Sequence, residues 1–318
     1  LQFYSYPAME IILADPVPPL FDELSNGRFE IRPLTTSTNS DCEAAVAILV
    51  YGHPPVDGAL MDACPNLKVI SNHGVGVDHI DVAAATARGI PVGNTPGCLD
   101  AATADMTMAL ILSVARNVVV GDHFARSPEF DHYQPALLIG QEVTGSTLGI
   151  VGMGRIGAEV AKRANAFDMR VLYHNRNRRP EIEELLGAEF VSMDQLLRES
   201  DFVSLNCPLT PETTGLIGAK ELLAMKSTGI LINMARGPVV QTGALCDALT
   251  AGQIVAAGLD VTDPEPLPRD HPLLQLKNVI ITPHLGSASN VTRMRMMQMT
   301  IDNLAAGVEG RELPNRVC

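Results

Sequence analysis

Leu148-Gly149-Ile150-Val151-Gly152-Met153-Gly154-Arg155-Ile156-Gly157 decides the fold. An apolar, β-branched run stops on a glycine, passes through GxGxxG and continues as the alanine-rich amphipathic stretch Ala158–Ala166. A strand that turns sharply into a helix, with a second strand about 20 residues on, is the dinucleotide-binding fingerprint. Gly152 permits the tight turn, Gly154 lets backbone approach a pyrophosphate, and Gly157 lets helix and strand pack closely. The N–H groups near Arg155 and Ile156 then point at the phosphates from the helix N-terminus.

The same alternation extends outward. β-rich apolar runs recur at Ile11–Ala14, Val46–Val50, Lys68–Ser71, Thr147–Val151, Arg170–Tyr173, Phe202–Asn206, Gly229–Asn233, Ala256–Leu259 and Val279–Thr282. Amphipathic segments such as Gly243–Ala251 lie between them, which predicts parallel sheets covered on both faces. The pattern runs in two rounds, one from about Met9 to Pro96 and one from Thr147 onward. Between them Leu99–Val120 reads as one long helix and Asp122–Gly140 as a polar, irregular arm. Ser287–Val308 reads as a closing helix. The expected organisation is a discontinuous first domain, residues 1–99 and 289–318, with an inserted dinucleotide-binding domain, residues 100–288.

The 318 residues suit about two domains. With 36 acidic against 23 basic residues the formal charge is −13, a field that disfavours nucleic acid and anionic membranes as partners. No uncharged apolar run reaches the roughly 18 residues of a membrane span. Leu1–Ala8 lacks the pattern of a signal peptide. The six cysteines show no metal-site spacing and read as reduced thiols, so a cytoplasmic protein without a metal is expected.

The end of the second dinucleotide-domain strand informs cofactor choice. An acid there would accept from the ribose 2′-OH of NAD. Here the chain reads His174-Asn175-Arg176-Asn177-Arg178-Arg179. Guanidinium groups pair with a 2′-phosphate, so NADP(H) is expected over NAD(H), with NAD(H) still usable. Asn175, Arg176 and Arg179 are the expected contacts.

Three further segments end strands with chemistry-bearing residues: Asn233-Met234-Ala235-Arg236-Gly237, Gly258-Leu259-Asp260-Val261-Thr262-Asp263-Pro264-Glu265-Pro266, and Pro283-His284-Leu285-Gly286-Ser287. Ligands of open α/β sheets sit beyond the carboxyl ends of strands, so Arg236, Glu265 and His284 are expected to face one cleft. These segments, with Gly74-Val75-Gly76-Val77-Asp78, Val92-Gly93-Asn94-Thr95-Pro96-Gly97 and His271-Pro272-Leu273-Leu274, resemble the D-isomer-specific 2-hydroxyacid dehydrogenase family, most closely its glyoxylate/hydroxypyruvate reductases. The resemblance covers nearly the whole chain.

It implies two Rossmann-like, doubly wound parallel-sheet domains, a flavodoxin-like substrate domain and a dinucleotide-binding domain, in a homodimer built on the Leu99–Gly140 region. It implies a catalytic triad of Arg236, Glu265 and His284, and a small 2-oxo or 2-hydroxy acid held by Val75, Gly76, Arg236, His284 and Ser287. It further assigns coenzyme contacts to Thr103, Cys207, Pro208, Thr213, Met234, Asp260 and Gly286, beside the glycine loop. Arg236 would bind the carboxylate, and His284 would donate a proton as the hydride arrives. Glu265 would orient the imidazole and favour its charged form. The chain departs from the family in lacking the strand-two acid, in lacking tryptophan (Leu137 stands in the segment where hydroxypyruvate-reducing relatives carry one), and in placing His73 before the carboxylate loop. A sugar-derived 2-keto acid such as 2-ketogluconate is therefore an alternative substrate, and a dinucleotide-sensing corepressor-like scaffold an alternative role.

Overall fold

The computed structural model describes residues 9–318; the Leu1–Ala8 stretch discussed above lies outside the described residues. The chain divides into two compact units, residues 9–99 with Ser289–Cys318, and Asp100–Ala288.

The first unit holds β1 (Glu10–Leu13), β2 (Phe29–Arg32), β3 (Ala47–Val50), β4 (Val69–Asn72) and β5 (Val92–Gly93), in the order β2-β1-β3-β4-β5. Every neighbouring pair is parallel, which is the flavodoxin-like order. β3 and β4 are buried at every position, as strands covered on both faces must be. Helix Asn290–Val308 closes one face, its Met297, Ile301, Leu304 and Val308 sharing an apolar cluster with Ile12, Phe21, Leu49 and Val69. That helix starts later than the expected Ser287, because the Ser289 hydroxyl caps it by accepting from the Thr292 N–H at 3.2 Å.

The second unit holds β6 (Thr147–Val151), β7 (Arg170–His174), β8 (Glu189–Phe190), β9 (Phe202–Leu205), β10 (Ile230–Asn233), β11 (Ala256–Leu259) and β12 (Val279–Ile281), in the order β12-β11-β10-β9-β6-β7-β8. All pairs are again parallel, and the winding reverses between β6 and β9, the doubly wound pattern. Helix Arg155–Asn165 follows β6 and buries Gly157, Val160, Ala161 and Ala164. Helix Asp100–Ala115 packs across β10, β11 and β12.

The single helix expected over Leu99–Val120 is broken. Asn117 adopts φ +53°, and helices Asp100–Ala115 and Val118–Ala125 meet at a 59° bend. Asparagine tolerates this left-handed conformation, and its Nδ2 is held by the Leu138 carbonyl at 3.2 Å. The expected irregular arm from Asp122 accordingly begins only after Ala125. β2, β5 and β8 went unread in the sequence; each is an edge strand, and β5 and β8 are two residues long. Among the described residues no single helix is long and apolar enough to cross a membrane.

Candidate active site

Arg236, Glu265 and His284 all lie in the second unit, on the loops that leave β10, β11 and β12. Because these strands are parallel neighbours, the three loops emerge on one edge of the sheet. The Nδ1 of His284 and Oε1 of Glu265 are 2.9 Å apart, with both side chains partly exposed. Glu265 also accepts from the Thr262 N–H at 3.4 Å.

Arg236 is half-buried and set by its own loop. Asn233, the last residue of β10 and almost wholly buried, accepts from the Ala235 N–H at 3.0 Å and donates to the Arg236 carbonyl at 2.9 Å. Gly237 brings this loop against the next one: a Cβ there would stand 1.9 Å from the Thr262 carbonyl oxygen, so only glycine lets the Arg236 and Glu265 segments touch.

His284 adopts φ +57°, a left-handed conformation that needs support from its surroundings. The support is Asp260, which is buried. Its Oδ1 accepts from Thr282 Oγ1 at 2.6 Å and from the Leu285 N–H at 2.7 Å, and its Oδ2 from the Gly286 N–H at 2.7 Å. The space beside Gly286 is bounded by Asp260, Met234 and Thr103, so four residues expected to touch coenzyme stand together. The Ser287 hydroxyl makes no hydrogen bond with the described residues.

The glycine loop lies on the same edge, after β6. Gly152 has φ +100°, and a Cβ there would come within 2.6 Å of the Cys207 nitrogen; glycine thus lets the loop lie on the turn carrying Cys207 and Pro208. Burial pushes the Cys207 thiol up to about 11, so it stays neutral. Asn175 braces the loop, its Oδ1 accepting from the Met153 N–H at 2.6 Å. The Arg155 and Ile156 N–H groups find no acceptor among the described residues, and a Cβ on Gly154 would meet open space. Unpaired helix N-terminal donors around an open glycine fit a pyrophosphate. Thr213 serves its own turn, accepting from the Thr210 N–H at 2.8 Å and donating to the Pro208 carbonyl at 2.7 Å.

The basic loop is less uniform than its sequence. Arg178 pairs with Glu183 at 2.6 Å, and Arg179 pairs with Glu181 while its Nη1 reaches the Met153 carbonyl at 3.2 Å. The Arg178 hydrogen bond, with a second from Tyr173, holds the Glu183 carboxyl down at about 2. Arg176 makes no hydrogen bond among the described residues; its charge acts on Glu212.

Val75 and Gly76 belong to the first unit, on the loop after β4. The side chains of Asn72 and Asn94 bind the carbonyls of this loop and carry no spacing signal in the sequence; His73, the departure noted there, directly precedes the loop. Burial, and then the charge of Arg293, push the His73 imidazole down to about 4. Its Nδ1 lies 3.2 Å from Thr300 Oγ1, which itself donates to the Met296 carbonyl, so Nδ1 carries the proton.

The chain is similar to known proteins along most of its length. Residues 108–286 match the model of the D-isomer specific 2-hydroxyacid dehydrogenase NAD binding domain. The chain is 49% identical over 278 residues to a glyoxylate reductase of Korarchaeum cryptofilum, covering 87% of this chain and 83% of that one. A solved structure from Thermus thermophilus superposes with a TM-score of 0.90 at 47% identity, covering 98% of this chain and all of the other. An NADPH-dependent glyoxylate/hydroxypyruvate reductase from Sinorhizobium meliloti, solved with NADP and malonate, superposes with a TM-score of 0.88 at 32% identity, covering 98% and 97%.

The chain belongs to the D-isomer-specific 2-hydroxyacid dehydrogenase family. It is an NAD(P)-dependent oxidoreductase that interconverts small 2-oxo and 2-hydroxy acids through a nicotinamide dinucleotide.

Proposed function

We propose that this chain is an NADPH-dependent reductase of glyoxylate, hydroxypyruvate or a related small 2-oxo acid, forming the D-2-hydroxy acid. The observation that carries this reading is the 2.9 Å contact between His284 and Glu265 on a sheet edge that also bears Arg236 and a dinucleotide loop. Reduced nicotinamide, when bound, supplies the hydride. Arg236 binds the substrate carboxylate and polarises the 2-oxo group, its charge fixed at any working pH. The N–H groups of Val75 and Gly76 also take the carboxylate, and Ser287 borders the substrate. His284, held through Nδ1 by Glu265, donates the proton from Nε2 to the developing alkoxide.

Arg176 supports NADPH over NADH, since it is the arginine of its loop with no hydrogen-bonded glutamate, and the Sinorhizobium relative is described as NADPH-dependent. Asn175, Arg155, Ile156, Thr103, Cys207, Pro208, Thr213, Met234, Asp260 and Gly286 complete the coenzyme's surroundings. A panel of 2-oxo acids run with NADPH and with NADH tests the reading. Turnover of glyoxylate or hydroxypyruvate with NADPH is expected, and preferred turnover of 2-ketogluconate would shift the substrate. No turnover with any 2-oxo acid would favour the scaffold role.

The residues 126–140 arm and the helix before it expose the apolar side chains Val118, Phe130, Tyr133 and Ile139, which suits a surface that pairs with a second copy. A homodimer built on this surface follows, and a sedimentation mass near 34 kDa would exclude it. The six cysteines, spaced without a metal-site pattern, suit a reducing, cytoplasmic compartment.

A further inference from the structure

Asn72 is the last residue of β4 and is 1% exposed. Its Nδ2 donates to the Gly74 carbonyl at 3.0 Å and the Gly76 carbonyl at 2.8 Å. Its Oδ1 faces His79 Nε2 at 3.0 Å. Carbonyls only accept, so the amide orientation is fixed, and His79 must carry its proton on Nε2. The carbonyl between them, that of Val75, accepts from Asn94 Nδ2 at 2.9 Å, and the Gly74 carbonyl accepts a second bond from the Thr95 N–H at 3.1 Å. Three consecutive carbonyls are thus drawn inward, two of them by one side chain. The N–H groups of Val75 and Gly76 have no acceptor among the described residues. Successive unpaired amides beside inward-held carbonyls form an anion-binding concavity.

We propose that Asn72 is the positioning residue of this loop. By anchoring the Gly74 and Gly76 carbonyls it aims the Val75 and Gly76 N–H groups, and so sets the affinity for the substrate carboxylate without touching it. This rests on the reading that the loop binds that carboxylate. Asn233 performs the corresponding task for Arg236, but within a different unit and on a loop that presents a side chain. Asn72, almost wholly buried, acts on the loop through the Gly74 and Gly76 carbonyls.

The carboxylate is held in both ground and transition states, so loosening its donors acts on KM more than on kcat. Two variants separate geometry from charge. Asn72→Ala deletes all three hydrogen bonds without adding charge. Asn72→Asp keeps the shape but puts an acceptor against the two carbonyls. Both should raise the KM for glyoxylate, and the inhibition constant of oxamate, by about 10-fold or more, while kcat stays within about threefold. The dissociation constant for NADPH and the melting temperature report whether the rest of the protein is intact.

Val75→Pro removes one N–H and tests the underlying reading. If Val75→Pro leaves KM and oxamate binding unchanged in a folded protein, the loop does not bind the carboxylate and that reading fails. If Val75→Pro raises both and the Asn72 variants do not, the assignment of Asn72 alone is overturned. A KM effect confined to Asn72→Asp would assign it to the added charge and overturn the proposal, as would loss of the folded state in both Asn72 variants.

Discussion

The Asp260 carboxylate fixes His284 through that histidine's neighbours: it binds the Leu285 and Gly286 N–H groups at 2.7 Å each, while the His284 N–H reaches the Asp260 carbonyl at 2.9 Å. The left-handed backbone of His284 is therefore a consequence of a buried acid one strand away. Asp260→Asn turns one acceptor into a donor facing an N–H group. The expected loss is about 1–3 kcal/mol of stability, together with a fall in kcat, measured by denaturant melts and steady-state kinetics. Unchanged stability and kcat would show that the loop holds its shape unaided.

His284→Gln removes the proposed acid and leaves the glycine loop untouched. A fall in kcat of about 10²–10⁴-fold is expected, with NADPH binding measured by fluorescence nearly unchanged. Arg236→Lys should instead raise the KM for the 2-oxo acid, because an ammonium cannot form the planar bidentate pair. Near-normal kcat in His284→Gln would send the search for the proton donor elsewhere.

Arg176→Ala should reduce kcat/KM with NADPH by tens of fold and leave NADH almost unaffected, since charged hydrogen bonds contribute about 1.5–3 kcal/mol before solvent screening. Arg179→Ala should matter less, because Glu181 already engages that guanidinium. Equal losses with both coenzymes in Arg176→Ala would mean that the residue supports the loop and not a phosphate.

His73 makes stability depend on acidity. Its folded-state value of about 4 lies below the ordinary 6.5, so between these the unfolded chain binds more protons. Stability is then full above pH 6.5 and declines as pH falls toward 4, by up to about 3 kcal/mol. His73→Gln should flatten this part of the pH–stability curve, recorded by urea unfolding from about pH 7 to about pH 4.5. An identical slope in the variant would place the titration in another group.

The readable parts of the sequence were those where one residue type repeats or a motif has fixed spacing. β6, β10 and β11 are apolar runs, and the glycine loop, Arg236, Glu265 and His284 each follow a strand of the same sheet. β2, with the sequence FEIR, alternates charged and apolar residues because it is an edge strand, and β8 pairs through only Glu189 and Phe190. β8 is too short to show a period, and β2 carries no continuous apolar run. Asn117 broke the expected helix through a backbone angle, which no apolar pattern records. Asn72 and Asn233 organise their loops through single buried amides, and a lone asparagine at a strand's end looks like any turn residue. The pairing of Arg178 and Arg179 with glutamates on the next helix likewise depends on helix geometry, so three arginines that look equivalent in sequence differ in the fold.

The helix over Asn290–Val308 has a consequence for synthesis. It covers the β1, β3 and β4 face of the first unit, yet residues 94–289 separate it from β5. A growing chain therefore emerges with that apolar face bare, completes the residues 100–288 unit in the meantime, and buries the exposed sheet only once Asn290–Val308 has left the ribosome. Domains generally mature in order from the N-terminus; here the middle one is finished first. Nascent chains halted after Ala288 should yield a protease-resistant core from the middle of the sequence, while residues 9–99 stay open to cleavage and to chaperones.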